Sequence, residues 1–143
     1  MNTYTPFRTV SHLVNHSPFW LRLMTAALWT LLMLVTLLQS SAQPLVGQPA
    51  PQDWRLDHEA FLTVAHLISF GGFTLLWAWT FNAHRAARQA IQWACGAALF
   101  FSLLTETLQT LVPDRGFSVW DLAMNALGMW AARRLWCYWR ARV

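Results

Sequence analysis

Three long apolar runs constrain this chain most: Phe19 to Leu38, Phe61 to Phe81 and Ile91 to Val112. Each is about 20 residues or slightly longer, enough for a helix rising 1.5 Å per residue to cross roughly 30 Å of hydrocarbon. A fourth run, Val119 to about Trp139, begins apolar and ends in a cluster of Arg and aromatic residues. Arg133 and Arg134 can snorkel there to headgroups, and Trp136, Tyr138 and Trp139 suit the interface. Basic side chains also suit the negative end of that helix's dipole. The expectation is an all-α membrane protein, a four-helix transmembrane bundle forming one domain over residues 1–143.

Charge supports lipid as the solvent. The chain is 56% hydrophobic and only 11% charged, too little charge to cover a soluble surface. Its net charge of +4 comes entirely from Arg, since Lys is absent. Arg8, Arg22, Arg85, Arg88, Arg133, Arg134, Arg140 and Arg142 flank alternate ends of the runs, and only Arg55 and Arg115 lie in the other two connections. Asp53, Asp57, Glu59, Asp114 and Asp121 fall in or beside those same two connections. Eight Arg against two is a positive-inside pattern, so both termini are expected in the cytoplasm (N-in/C-in). The basic charge reports orientation, and no nucleic-acid partner is expected. Cys95 and Cys137 fall near the cytoplasmic side and suggest no disulfide framework.

The connections read as loops. Gln39 to Asp57, with Pro44, Gly47, Pro49 and Pro51, is an extended extracytoplasmic segment. Asn82 to Ala90 is a short basic turn, and Pro113-Asp114-Arg115-Gly116 is a tight outer turn. Ser40-Ser41-Ala42 looks like a signal-peptidase site. Signal cores are usually about 7 to 15 residues, and this run is longer, so the first helix is expected to be retained.

Ionisable groups inside apolar helices are costly, and each is a candidate site. Counted from the outer ends of their runs, His66, Glu106 and Asn125 reach one depth, about 7 to 9 Å at 1.5 Å per residue. At helical spacing, Glu59, Thr63, His66 and Phe70 share a face, as do Ser102, Glu106 and Gln109, and Asp121, Asn125, Gly128 and Ala132. These faces are expected to enclose a polar pocket open to the outer side, with Arg115 at its rim. Each residue also has a plainer role. Ser118 and Asp121 fit a capping box, Asn125 and Gln109 can glue helices together, His66 alone can be a satisfied core histidine, and Asp114 is a turn residue. Asp57, His58 and Glu59 are most simply solvated surface. Glu106 resists such a reading, because a carboxyl group at that depth must be protonated, paired or solvated. His66, Glu106 and Asp121 lack H-E-x-x-H or C-x-x-C spacing, so no metal and no other cofactor is expected.

Together, Glu106-x-x-Gln109, Pro113-x-Arg115, Ser118, Asp121, Asn125 and Gly128 make an E-x-x-Q…P-x-R-x-x-S-x-x-D-x-x-x-N-x-x-G run. This resembles the hallmark of the VanZ-like family of small bacterial membrane proteins, and His66-Leu-Ile-Ser-Phe70 resembles that family's H-f-x-x-F segment. The match covers Thr63 to Gly128. It departs at Leu62 and Thr63, where the family commonly carries Asp-Lys; if that pair binds a ligand, this member either binds it differently, with Asp57 or Glu59 as candidates, or has lost the role. The resemblance implies a multi-pass protein of the bacterial cytoplasmic membrane engaged in envelope work. The family's namesake is associated with teicoplanin resistance, and other members accompany envelope or exopolysaccharide genes. It supplies no reaction, and whether the chain is an enzyme stays open.

The leading expectation is a pocket that binds or acts on a membrane lipid or lipid-linked cell-envelope precursor. Glu106 and His66 are the acid/base candidates, Arg115 the anion contact, and Gln109, Asp121, Asn125 and Ser118 the surrounding substrate-binding shell. The alternatives are a non-catalytic scaffold for an envelope or exopolysaccharide system, and a proton-linked path, for which four short helices leave little room.

Overall fold

The computed structural model describes residues 17–39, 55–113 and 115–142, without the side chains of 55–62. Four helices appear there and no strand: α1 Phe19–Leu37, α2 Arg55–Phe81, α3 Ala87–Gln109 and α4 Val119–Arg140. The Pro44–Pro51 segment, Ser40-Ser41-Ala42 and Asp114 lie outside the described residues, as do the side chains of Asp57, His58 and Glu59.

The ends of α2 and α3 differ from those expected. Helix α2 begins at Arg55, six residues before the apolar run, because a helix continues into water wherever its polar residues tolerate it. Helix α3 begins four residues early, as Ala87, Arg88, Gln89 and Ala90 are all good helix formers. It stops at Gln109, where the chain tightens into Leu111 N–H to Leu108 O and Val112 N–H to Gln109 O bonds. Pro113 disfavours helical geometry at Val112 and so enforces the stop. Glu106 is thus three residues from its helix end.

Helix α1, the Thr63–Phe81 part of α2, and α3 are each long and apolar enough to cross a membrane. Helix α4 falls short of that apolarity, since it carries Asp121, Asn125, Arg133, Arg134 and Arg140. Large apolar side chains stand exposed on every helix, among them Met24, Leu31, Ile68, Phe100, Leu103 and Trp130. Such a surface is unfavourable in water and natural in lipid.

Alternate helices run in opposite directions, as the contacts at both ends require. At one end the N-terminal part of α2, the C-terminus of α3 and the N-terminus of α4 converge, and Gln109 Nε2 donates to the Leu37 carbonyl at the end of α1. At the other end Arg22 Nη1 donates to the Trp79 carbonyl, and Trp136 Nε1 donates to the Ala87 carbonyl at the start of α3. Trp136 is therefore buried rather than interfacial. Guanidinium groups lie over indole rings at this second end, Arg22 on Trp79, Arg85 on Trp93 and Arg140 on Trp136. Between the ends sits an apolar core of Met33, Phe70, Phe73, Ala98 and Met129.

Two glycines set the spacing. Gly72 leaves room for the Trp29 indole, whose Nε1 donates to the Ser69 carbonyl across the α1–α2 interface. Gly128 on α4 lies against the α2 backbone at Leu67 and Gly71, and a Cβ there would overlap the Leu67 carbonyl oxygen. Gly96 faces open space. Gly128→Ala is expected to destabilise the bundle by about 1–3 kcal/mol or more through overpacking against rigid backbone, while Gly96→Ala leaves it unchanged. Thermal unfolding in detergent and membrane accumulation of the two variants check this; equal behaviour would contradict the close α2–α4 packing.

Candidate polar site at one end of the bundle

At Gly128 the α2 and α4 backbones touch, and one turn towards the N-terminus of α4 the side chain of Asn125 meets His66. Asn125 Oδ1 lies 3.0 Å from His66 Nδ1, and Asn125 Nδ2 donates to Ser102 Oγ on α3 at 2.9 Å. One amide thus joins three helices. His66, Ser102 and Asn125 are all fully buried or nearly so. Because an amide oxygen only accepts, that contact puts a proton on Nδ1, and in the neutral ring Nε2 then keeps a lone pair.

Two carboxyl groups complete the cluster. Glu106 is fully buried, with Oε1 at 3.9 Å from His66 Nδ1. Asp121 Oδ2 lies 3.7 Å from His66 Nε2, on a side chain 17% exposed. Neither separation is a hydrogen bond. His66 Nε2 and Glu106 Oε1 are buried with no hydrogen-bond partner.

The start of α4 explains why Asp121 faces inward. Ser118 Oγ accepts from the Asp121 N–H at 3.2 Å, the first half of a capping box. In the reciprocal half the acid would take the Ser118 N–H. Here that N–H donates to Glu106 Oε2 at 3.1 Å instead, which leaves the Asp121 carboxyl group turned towards His66. Ser118 is therefore both a cap and a contact of the cluster. Arg115 is half-buried beside it, close enough for its charge to act on His66 and Glu106, and its buried Nε has no hydrogen-bond partner.

Gln109 stands apart from the others. It is buried, but its amide reaches away to α1 through the Leu37 bond, satisfying a carbonyl that the helix end leaves unpaired. The structure thus gathers His66, Glu106, Asp121, Asn125 and Ser118 into one cluster with Arg115 adjacent, and gives Gln109 an interhelical tie. Two contributors escaped the sequence reading. The Ser118 backbone N–H shows in no side-chain pattern, although its place at a helix N-cap marks it as an available donor. Thr105, buried beside Glu106, bonds back to the Phe101 and Ser102 carbonyls, as threonines in apolar helices commonly do.

Among known proteins, the family described as VanZ/LLP1 matches this chain over residues 2–140. Neither the curated proteins nor the solved structures gave a match.

Asn125→Ala removes two buried hydrogen bonds and strands the His66 N–H, which is expected to cost about 1–3 kcal/mol. Ser102→Ala removes one of the two and should cost less. Unfolding temperatures in detergent give the ranking; an Asn125→Ala protein as stable as the parent would show that the bridge does not hold the helices.

Proposed function

Because this chain belongs to the VanZ/LLP1 family, we propose that it is a multi-pass protein of the bacterial cytoplasmic membrane that binds or acts on a lipid or lipid-linked envelope precursor. Its polar cluster would form a pocket facing the outer leaflet. In this reading all four helices cross the bilayer, with both termini in the cytoplasm. The asymmetry of Arg supports that orientation, with Arg22, Arg85, Arg88, Arg140 and Arg142 at one end of the bundle and Arg55 and Arg115 at the other. Helix α4 enters despite its charges because α2 and α3 cover its polar face and its Arg residues lie towards the headgroups.

The observation that carries the reading is the buried pair of polar atoms without partners, His66 Nε2 and Glu106 Oε1. Groups that only locked helices together would be expected to saturate each other. Glu106 and His66 are placed to exchange protons with a bound molecule. Arg115 suits an anionic headgroup, and Ser118, Asp121 and Asn125 orient the cluster. Gln109 belongs to the frame of the pocket. The rival reading, a non-catalytic scaffold for an envelope or exopolysaccharide system, draws support from the Asn125–Ser102 and Gln109–Leu37 ties, which join helices whatever the cluster does.

Two experiments test this. A reporter fused after Val143 should read as cytoplasmic and one inserted between Pro44 and Pro51 as extracytoplasmic; a cytoplasmic signal from the Pro-rich segment would reverse the orientation. Glu106→Gln and Arg115→Gln should give inserted, folded protein that fails to complement a deletion under envelope stress or glycopeptide challenge. An amide keeps the shape of Glu106 but cannot ionise. Full complementation by both variants would favour the scaffold.

A further inference from the structure

One nitrogen of His66 and one carboxyl oxygen each of Glu106 and Asp121 lie within 4.8 Å of one another, although the three residues come from three different helices. Their chemistry is one-sided. With its proton on Nδ1, His66 presents a lone pair at Nε2; Glu106 Oε1 and Asp121 Oδ2 are likewise electron-pair donors. Acceptor atoms gathered this closely in a water-poor interior repel unless a cation or a proton stands between them. From this arrangement we infer that the cluster is a binding site for one divalent transition-metal ion of the zinc class, held by His66 Nε2, Glu106 and Asp121.

Four features support the assignment. The Nε2–Oδ2 distance of 3.7 Å is too long for a hydrogen bond. It is close to the edge of a tetrahedron with bonds of about 2.0–2.1 Å, roughly 3.3–3.4 Å; Glu106 Oε1, 3.9 Å from Nδ1 of the same ring, would have to close further onto the ion, within the 4.8 Å span of the three groups. A neutral imidazole and two carboxylates offset the +2 charge of the ion, leaving no net charge to bury. Asn125 holds the imidazole through Nδ1, the outer-shell contact that fixes tautomer and ring orientation in histidine metal sites, and Ser102 holds Asn125 in turn. Ser118 N–H orients Glu106 through Oε2 and leaves Oε1 for the ion. Three protein ligands leave a fourth position open. The partial exposure of Asp121 gives that position a route to the outside.

Sequence spacing argued against a metal on these three residues, because they are 40 and 15 residues apart and share no short motif. The inference does not rest on the lipid reading, and it replaces the acid/base role given there to His66 and Glu106, since an ion would occupy both atoms.

The test uses the full chain, stripped with chelator and reconstituted in nanodiscs of zwitterionic lipid, titrated with zinc, and checked for bound metal by mass spectrometry. One zinc per chain is expected, with affinity lowered about 100-fold or more in Asp121→Asn and Glu106→Gln. Asn125→Ala should weaken it by about 10- to 100-fold, as loss of an outer-shell contact does. His84→Ala, an exposed histidine at the opposite end, should leave it unchanged. Cobalt in the parent should give visible bands that shift in Asp121→Asn, which reads the coordination shell directly and needs no comparison of stabilities. Absence of stoichiometric zinc in the parent would overturn the assignment. So would zinc binding that Asp121→Asn and Glu106→Gln leave intact, or cobalt bands that Asp121→Asn leaves in place.

Discussion

The contact of Gly128 with the α2 backbone is the constraint on which the polar cluster depends. A side chain as small as alanine would push α4 off the Leu67 carbonyl, and the Asn125 amide would follow. Asn125 lies three residues from Gly128, and His66 is next to Leu67, so the glycine contact and the 3.0 Å Asn125–His66 contact share the same pair of turns. In lipid there is no hydrophobic drive between apolar helices, and close backbone approach with a buried hydrogen bond is what holds them. Helix α1 is attached differently, through indole N–H groups and the Arg22 guanidinium reaching carbonyls of α2.

Placing three ionisable side chains among these helices is expensive, and the backbone offsets part of that cost. The N-terminus of α4 carries unpaired N–H groups and a partial positive charge. Glu106 takes one of those N–H groups, and Asp121 sits in the first turn. Helix α4 is the least apolar of the four and also the one whose N-terminus supports the cluster. These are two consequences of one design, because a helix that ends beside buried carboxyl groups must itself carry polar residues and must be covered by its neighbours.

Much of this was legible in the sequence, for physical reasons. Periodicity put His66 with Phe70, Glu106 with Ser102, and Asn125 with Gly128 on single faces, and in the structure these faces are buried against one another. Apolar length located the spans of α1, α2 and α3. The failures have physical causes too. Counting from apolar boundaries misplaced the ends of α2 and α3, since a helix does not stop where its apolar residues stop. Gln109 shares the Glu106 face, yet its amide N–H reaches an unpaired carbonyl on α1 instead. Arg22 read as an interfacial charge but is buried at 3% exposure, and the carbonyls of Trp79 and Ser17 that accept from it carry no mark in a sequence.

The two ends of the bundle follow opposite electrostatic rules. At the Arg-rich end, guanidinium groups lie on indole faces and bond to carbonyls, so cations there meet partners that the helices and aromatic rings already provide. At the other end, His66, Glu106 and Asp121 come together from three helices, and Arg115 stands beside them with its buried Nε lacking a hydrogen-bond partner. A bundle selected for stability alone would be expected to close that end with matched donors and acceptors. The unmatched acceptors are therefore the feature that stability does not explain. In the proposed metal site the ion supplies the positive charge that these acceptors lack, and Asn125 and Ser118 hold two of its ligands in place.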